Sequence, residues 1–277
     1  MRTSRLERIW IYFLVVVFML FFTFPIYWAV TTSFKSPDRI LTLPPEVFPY
    51  SPTTDNYNEV INNNQMGLYF LNSLFVAVST TIVSVLIAAL AGYGFSRFRF
   101  RGKYFWLYLI LAIRTVPGLV FTLPYFVIFD KIGLLDTLTG LIVVYITATL
   151  PLAVWLFVGF YDKIPTDIYD AAKIDGCGQL QMFGQVALPL VVPGIVVTSI
   201  LNFLAAYNEF GTALILIFSD NNKTLPLAIA GLIQLQKDTP FGTLSAAGTI
   251  AIIPAFLLSI FAQKYLVSGF TAGAVKG

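Results

Sequence analysis

The chain has no histidine, a single cysteine (Cys177), and charged side chains at only 11% of its 277 positions. One cysteine cannot form a disulfide within the chain. Without histidine there is neither a His/Cys metal cluster nor an imidazole base for catalysis. The sequence also lacks a glycine-rich phosphate loop ending in GKS or GKT and a GxGxxG dinucleotide fingerprint. We therefore expect this chain to bind no cofactor or metal, and the usual residues of hydrolases, redox enzymes and nucleotide-binding proteins are missing.

Apolar residues take the place of the missing charge, since 57% of the chain is hydrophobic. An ordinary soluble domain carries about 25% charged residues. Several apolar runs exceed ~18 residues, which is enough to cross ~30 Å of hydrocarbon as a helix, whereas a β-barrel needs short alternating strands. The composition predicts an all-α, polytopic membrane protein with a single transmembrane domain over residues 1–277.

Six transmembrane helices are predicted, and an even number places both termini on the same side of the membrane. Their approximate limits are residues 9–31, 70–95, 104–129, 138–160, 186–212 and 244–266. Eleven lysines and arginines fall in segments on the side of the termini, and five fall in segments on the other side. The turn RFRFRGK at 97–103 has four basic residues and no acid, so the positive-inside rule places it and both termini in the cytoplasm.

Residues 167–194, DIYDAAKIDGCGQLQMFGQVALPLVVPG, concentrate charge between two apolar segments. Thr166 is in position to cap a short helix, and two aspartates in the first turn suit the helix dipole. Gly176 and Gly178 end this helix within about three turns, and a second helix begins near residue 179. The pattern predicts a short cytoplasmic helix, a glycine break and a second helix that leads into the fifth span.

One narrow face of this short helix is expected to hold Ile168, Ala171 and Ala172. A helix of this length is not stable alone, so contact with a partner must order it. A groove on another protein is favoured, because small side chains let backbones approach closely. Contact with the lipid surface is the alternative, and it fits less well because the segment has three acids and one lysine.

Two patterns in this segment, DAAxxDG at 170–176 and FxxVxLPLxxP at 183–193, resemble the EAA loop of ABC importer permeases. The form is that of the maltose-type carbohydrate importers. SFKSP, NSLFVAVSTT, YGFSRFRFRGK, YNEF and the terminal GAVKG are also similar, so the resemblance covers essentially the whole chain. Asp170 stands where the family usually has Glu, and Tyr207 stands where Trp is frequent. The resemblance implies the ABC type I importer permease fold.

The resemblance also implies partners and a coupling role for the short helix at 166–180. In the family this helix fits a cleft on a cytoplasmic ATPase subunit, and the tail, here 272–277, reaches that subunit too. The implied partners are a second related permease, two ATPase subunits that bind ATP and Mg, an extracytoplasmic binding protein and membrane lipid, but no nucleic acid. The location implied is the bacterial inner membrane. The residues expected to couple to the ATPase are Asp170, Ala171, Ala172, Asp175 and Gly176.

Apart from Lys264, near the end of the last span, only Arg114 and Glu209 are charged within the predicted spans. Since an intramembrane charge costs roughly 2.5–3.5 kcal/mol on insertion, both should face the protein interior or a wet cavity. With Asn202, Tyr207 and Asn208 they form the candidate lining of a translocation path. Structural polar contacts explain the two charges equally well.

The loop after residue 219 contains TLPLAIAGLIQLQKDTPFG, which is too apolar for a solvated linker. In the maltose-type family this outer loop reaches into the binding protein's sugar site. The resemblance assigns that contact to residues 231–236, with Gly231, Leu232, Ile233 and Gln234 as the named candidates. The alternative is a loop that packs on the helix ends.

The function that these features favour is a permease subunit of an ATP-driven, binding-protein-dependent importer of a sugar or sugar derivative. A secondary carrier driven by an ion gradient is the alternative. Such carriers usually have coupling acids near the midplane and inverted repeats, and neither is evident here. An integral membrane enzyme is a third class, which the lack of histidine and of clustered carboxylates disfavours.

Overall fold

The computed structural model describes residues 5–63, 65–234 and 240–274, and the long regular elements in these ranges are all helices. Short helical turns at Pro37–Ile40, Asp55–Asn58, Glu59–Asn63 and Asp220–Asn222 lie in the connections. The longer helices are α1 (Arg5–Ser33), α2 (Met66–Arg97), α3 (Lys103–Ile113), α4 (Gly118–Ile132), α5 (Leu138–Tyr161), α6 (Thr166–Ile174), α7 (Gln179–Leu190), α8 (Val192–Tyr207), α9 (Gly211–Leu216), α10 (Leu225–Gln234) and α11 (Phe241–Ala274).

Helices α1, α2, α5 and α11 are each long and apolar enough to cross a membrane. The spans predicted at 9–31, 70–95, 138–160 and 244–266 coincide with these four helices. The count rises to six if two bent helix pairs, α3 with α4 and α7 with α8, each form one crossing. The all-helical membrane class predicted from composition is therefore confirmed, with four to six candidate spans.

The predicted spans at 104–129 and 186–212 differ from the structure because neither is one straight helix. Helices α3 and α4 meet at 87°, and Pro117 is the non-helical residue that precedes α4. Helices α7 and α8 meet at 76° at Val191, which has Pro189 and Pro193 on either side. A proline lacks the N–H that would continue the helix and disfavours helical backbone in the preceding residue, so both bends have a local cause.

The chain divides into two compact units, one within residues 1–68 and 228–253 and the other within residues 69–227 and 254–277. In the first unit, the segment after α1 folds back on the end of that helix. The Asn56 side-chain amide donates to the carbonyls of Ser33 and Lys35 at 2.9 and 2.8 Å. Lys35 is buried, and its ammonium group lies 4.4 Å from the centre of the Trp28 ring. The Pro-rich segment is thus anchored at its ends by hydrogen bonds.

The second unit is built around α5, whose residues include Phe157 and Tyr161 in the hydrophobic core. Helix α2 approaches α5 closely at Gly92, where a Cβ atom would lie 2.5 Å from the Cβ of Phe157. A hydroxyl pair, Ser84 and Thr149, joins the same two helices at 2.9 Å. Helix α8 packs along α5 as well. This core also contains residues from the end of α5 and from the first part of α7, which are the helices on either side of α6.

Candidate functional site

Helix α6 is the short helix expected from the sequence, and it spans Thr166–Ile174. Pro165 occupies the N-cap position, so Thr166 is the first helical residue and not the cap. After Asp175, Gly176 adopts φ +84°, the left-handed conformation that glycine adopts most readily. Helix α7 begins at residue 179, and the Gln181 side chain accepts a hydrogen bond from the Gly178 amide at 2.9 Å. The glycine break therefore separates two ordered helices.

The two faces of α6 differ in exposure. Tyr169 and Ala172 face the protein and are 4% and 7% exposed. The four residues on the other side, which we call the exposed face of α6, are Asp167, Asp170, Ala171 and Ile174. They follow an i, i+3, i+4, i+7 spacing, and the apolar Ile174 is 86% exposed. A surface helix that leaves an isoleucine exposed presents a face suited to a partner.

The expectation that Ala172 shares a face with Ile168 and Ala171 is therefore corrected. Ala172 packs inside its own chain, because the large Tyr169 ring, one turn before it, sets which side of α6 is buried. Among the other residues expected to couple, Asp170 is exposed and pairs with Lys173 at 2.9 Å. Asp175 is also exposed, and its amide donates to the carbonyl of Ala171 at 3.0 Å.

Arg97, the last residue of α2, connects α6 to the end of α5. Its guanidinium donates to the carbonyls of Tyr161 and Ile164, the second at 3.2 Å, and lies over the Tyr169 ring at 3.7 Å. The contact satisfies carbonyls at a helix end, which have no partner within the helix. Burial raises the pKa of the Tyr169 hydroxyl, and the positive charge of Arg97 opposes that rise. One side chain thus links α2, α5 and α6.

An aromatic cluster extends this connection to α7. Tyr93 of α2 lies 5.6 Å from Tyr161 of α5 and 5.2 Å from Phe183 of α7, in edge-on contacts. Tyr161 stacks on Phe157 at 6.0 Å. Such aromatic pairs contribute about 0.5–1.5 kcal/mol each beyond the area that they bury. Helix α6 and the helices on either side of it are therefore held together as one packed group.

Glu209 lies between α8 and α9 and is half-buried. Its carboxylate accepts a hydrogen bond from the Tyr145 hydroxyl at 2.6 Å and others from the amides of Thr212 and Ala213 at 2.8 and 3.3 Å. A carboxylate beside the free amides at a helix start stabilises that start. In this arrangement Glu209 caps α9 and ties it to α5, which is one of the two roles expected for it.

The other candidate lining residues separate into buried and exposed groups. Asn202 and Tyr207 are buried within α8, and the side-chain nitrogen of Asn202 and the hydroxyl of Tyr207 lack a hydrogen-bond partner among the described residues. Asn208 is exposed, and its side chain donates back to the Leu204 carbonyl at 2.9 Å. Asn202 and Tyr207 therefore lie inside the chain's own packing.

Arg114 does not lie where the sequence predicts. It was expected to face the protein interior about ten residues into a continuous span, but it is exposed and sits at the bend after α3. Within the described residues no carboxylate pairs with it. The bend that Pro117 imposes places Arg114 outside a regular helix, so its depth cannot be counted from helical rise.

The segment expected to contact a binding protein is the last turn of α10. Leu232 is buried, Gly231 is half-buried and Ile233 is 52% exposed. The Gln234 side chain and residues 235 and 236 lie outside the described residues, as does the end of the tail, 275–277. Of the described side chains here, Ile233 is the most accessible to a partner.

Two polar side chains that sequence reasoning missed position the segment before α10. The Asn72 amide donates to the carbonyls of Asn221 and Lys223 at 2.8 and 2.9 Å. The Ser73 hydroxyl accepts from the Leu225 amide at 2.7 Å. The only available signal was the polar pair Asn-Ser at the start of an apolar run.

Asp136 is a third missed residue, in the turn between α4 and α5. Its carboxylate accepts from the amides of Phe218 and Ser219 at 2.9 and 3.0 Å. Partial burial acts to raise the Asp136 pKa, but these hydrogen bonds outweigh it and leave the pKa below its ordinary value. Nothing within the turn itself identifies contacts with a segment about 80 residues away.

Within the described residues, no group of three or more acids or cysteines is placed to hold a metal ion. Broken membrane helices such as the two bent candidate spans of this chain are frequent in transport proteins. The chain is a member of the family of binding-protein-dependent transport system inner membrane components, whose sequence profile matches residues 81–271.

Relatives and a solved structure agree with this assignment. The trehalose/maltose transport system permease protein MalG of Thermococcus litoralis is 32% identical over 279 residues and covers all of both chains. The sulfoquinovosyl glycerol transport system permease protein SmoH of Agrobacterium fabrum is 35% identical over 92% of this chain and 89% of its own. A bacterial ABC transporter that imports the acidic polysaccharide alginate has the same fold, with a TM-score of 0.80 at 20% identity over 96% of this chain and 99% of that one. The chain is thus a permease subunit and not an enzyme by itself.

Proposed function

We propose that the chain is one of two permease subunits of an ATP-driven importer, and that α6 transmits the motion of cytoplasmic ATPase subunits to the spans. The observation that carries the proposal is the asymmetry of α6. One side is held by Arg97 and an aromatic cluster, and the other leaves Ile174 exposed. A helix fixed to the ends of α2, α5 and α7 passes on a displacement as a rigid-body movement.

The partners proposed for the assembly are two ATPase subunits with their ATP and Mg, a second related permease and an extracytoplasmic binding protein. The family description, which refers to binding-protein-dependent transport, supports the last of these. An 18-residue window of α1 has no buried residues, so this part of the helix has its surface available for lipid and for a second permease. The exposed Ile233 in the last turn of α10 is the contact proposed for the binding protein.

The proposed cargo is a sugar or a sugar derivative. Support comes from the relatives, whose names refer to trehalose, maltose and sulfoquinovosyl glycerol. The proposed location is the bacterial inner membrane, with six crossings and both termini in the cytoplasm. The distribution of lysine and arginine supports this orientation, because four basic residues lie in the single turn at 97–103.

The substitution Ile174→Asp tests the coupling proposal. Ile174 makes up part of the exposed face of α6, so the change should leave the fold of the permease intact while placing a charge in the contact. We expect at least about tenfold weaker retention of the ATPase subunits, because the change would bury an unpaired carboxylate in the contact, which costs more than the ~1.4 kcal/mol that corresponds to a tenfold change. The measurement is co-purification from membranes, together with ATP-driven uptake.

Two further variants serve as controls. Ile174→Leu keeps an apolar side chain of the same volume and should retain the ATPase subunits. Ala172→Trp enlarges a buried residue and should reduce the amount of folded permease as well, which distinguishes loss of fold from loss of contact. Normal ATPase yield with Ile174→Asp would contradict docking at α6.

A further inference from the structure

The turn between α2 and α3 borders a cavity of about 530 Å³. Three basic side chains line it, those of Arg97, Arg99 and Lys103, together with Ser96 and Thr166. No acidic residue is among the described residues that line this cavity. Its composition fits an anionic group with several oxygen atoms, because arginine, lysine and hydroxyl groups all donate hydrogen bonds to such oxygens.

A second cavity, of about 460 Å³, lies beside the first between α3 and α5. Its walls are mainly apolar and include Leu107, Trp155 and Val158. Lys103 and Tyr104 line both cavities, so the basic pocket continues directly into an apolar groove along the two helices.

One acidic residue, Asp162, is among the residues that line the second cavity, together with Lys163. Its carboxylate accepts a hydrogen bond from the Ser96 hydroxyl at 2.6 Å. The two cavities together are lined by one carboxylate and by four basic side chains, those of Arg97, Arg99, Lys103 and Lys163. The combined site therefore has a net positive charge.

We propose that this pair of cavities binds one anionic phospholipid, with its phosphate in the basic cavity and an acyl chain in the groove. Basic pockets between membrane helices at the cytoplasmic surface favour anionic headgroups. Tyr104 and Phe105, which line the basic cavity, and the neighbouring Trp106 have exposed aromatic side chains, and tyrosine and tryptophan are typical of the membrane interface. A free phosphate ion or an acidic protein surface would use the basic cavity and leave the apolar groove without a ligand.

The site is next to the residue that holds α6. Arg97 lines the basic cavity and also contacts the Tyr161 and Ile164 carbonyls and the Tyr169 ring. Thr166, the first residue of α6, lines the cavity as well. A bound headgroup would therefore touch α6 and the end of α2 simultaneously.

The test uses the full chain, with any subunits that co-purify, in vesicles of phosphatidylcholine containing a minor fraction of phosphatidylglycerol. Either lipid carries a photoreactive group on its acyl chain, and cross-linked peptides are identified by mass spectrometry. We expect photoreactive phosphatidylglycerol to label peptides that contain residues 103–108 and 155–163 several-fold more than photoreactive phosphatidylcholine does.

A charge variant and a matched control assign the preference to the cavity. Each basic side chain removed should weaken anionic labelling by about fivefold, so Arg99→Ala combined with Lys103→Ala should abolish most of the preference. Arg101→Ala removes a charge from the same turn, but Arg101 does not line the cavity. This variant should therefore keep the preference for phosphatidylglycerol over phosphatidylcholine.

Three results would overturn the proposal. The first is equal labelling by the two lipids in the unaltered protein. The second is an equal effect of Arg101→Ala, which would indicate a diffuse charge effect. The third is an unchanged preference in the Arg99→Ala, Lys103→Ala double variant, which would place the labelled lipid outside the basic cavity. The readout is independent of transport, so it stands apart from the test at Ile174.

Discussion

The carboxylate of Glu209 accepts three hydrogen bonds that come from two different parts of the fold. Two come from the first turn of α9, and the third comes from the Tyr145 hydroxyl on α5. Tyr145 is 2% exposed, so its hydroxyl depends on this partner. Glu209 therefore acts as a structural connection between α5 and α9 beside the end of α8.

We expect Glu209→Ala to destabilise the purified permease by about 2 kcal/mol, because hydrogen bonds to a charged group contribute about 1.5–3 kcal/mol. Tyr145→Phe should cost about 1 kcal/mol in the unaltered protein and almost nothing in the Glu209→Ala background, since both changes remove the same contact. Thermal unfolding in detergent measures both effects.

The neighbouring Asn208→Ala is the control for this pair. Asn208 is exposed, and its side chain bonds only locally, so the change should stay within about 0.5 kcal/mol. Additive effects of Tyr145→Phe and Glu209→Ala would contradict the proposed connection.

At the residue scale, the sequence identifies which side chains are unusual but not what they contact. Glu209 stands out as a charge within an apolar run, yet Tyr145 is 64 residues away and has no distinguishing neighbour in the chain. Arg97 is visible only as one of four basic residues in a turn, and its contact with Tyr169 depends on how α2 and α6 pack. Such pairs depend on tertiary packing, which local patterns do not encode.

Among the elements, α6 and its glycine break are the part of the site most readily predicted. A glycine at φ +84° ends the helix at a position where any other residue is strained. The bends are harder to foresee, because prolines at 25, 124, 151 and 254 lie within helices, whereas those near 117 and 191 accompany breaks. Neighbouring helices can satisfy the groups that a proline frees, so proline alone does not identify a break.

The two glycines between α6 and α7 provide a matched test of this break. Gly176→Ala should destabilise the permease by about 1–2 kcal/mol, since a left-handed conformation costs a side-chain-bearing residue about that much. It should also lower ATP-driven uptake by misplacing α6. Thermal unfolding and uptake into vesicles check the two parts.

Gly178→Ala is the control, because Gly178 has φ −72° and an added Cβ would lie 3.7 Å from its nearest neighbour. It should leave stability and uptake close to normal. Equal loss in the two variants would mean that the segment needs small side chains in general and not one left-handed residue.

For the molecule as a whole, composition is sufficient to identify a helical membrane protein, whereas its orientation is a prediction from the distribution of basic residues. The single cysteine, Cys177, offers a direct test, because it lies between α6 and α7 and is partly exposed. We expect a membrane-impermeant maleimide to label Cys177 in inside-out vesicles and not in right-side-out vesicles.

A second variant, with Cys177→Ala and Asn221→Cys, should show the opposite pattern, since residue 221 is exposed in the segment before α10. Mass spectrometry of the labelled chain measures both variants. The proposed topology has an odd number of crossings between the two positions. Labelling of both positions from the same side would therefore contradict it.

The contact made by Arg97 has a consequence for how such proteins diverge. Its guanidinium holds α6 through main-chain carbonyls and the Tyr169 ring, and none of these contacts involves the exposed face of α6. Substitutions at Asp167, Asp170, Ala171 and Ile174 can therefore accumulate without disturbing the frame beneath them. Under the proposed coupling role, changes at these four surface positions would alter the contact with the ATPase subunits while the membrane-embedded part of the permease stays the same.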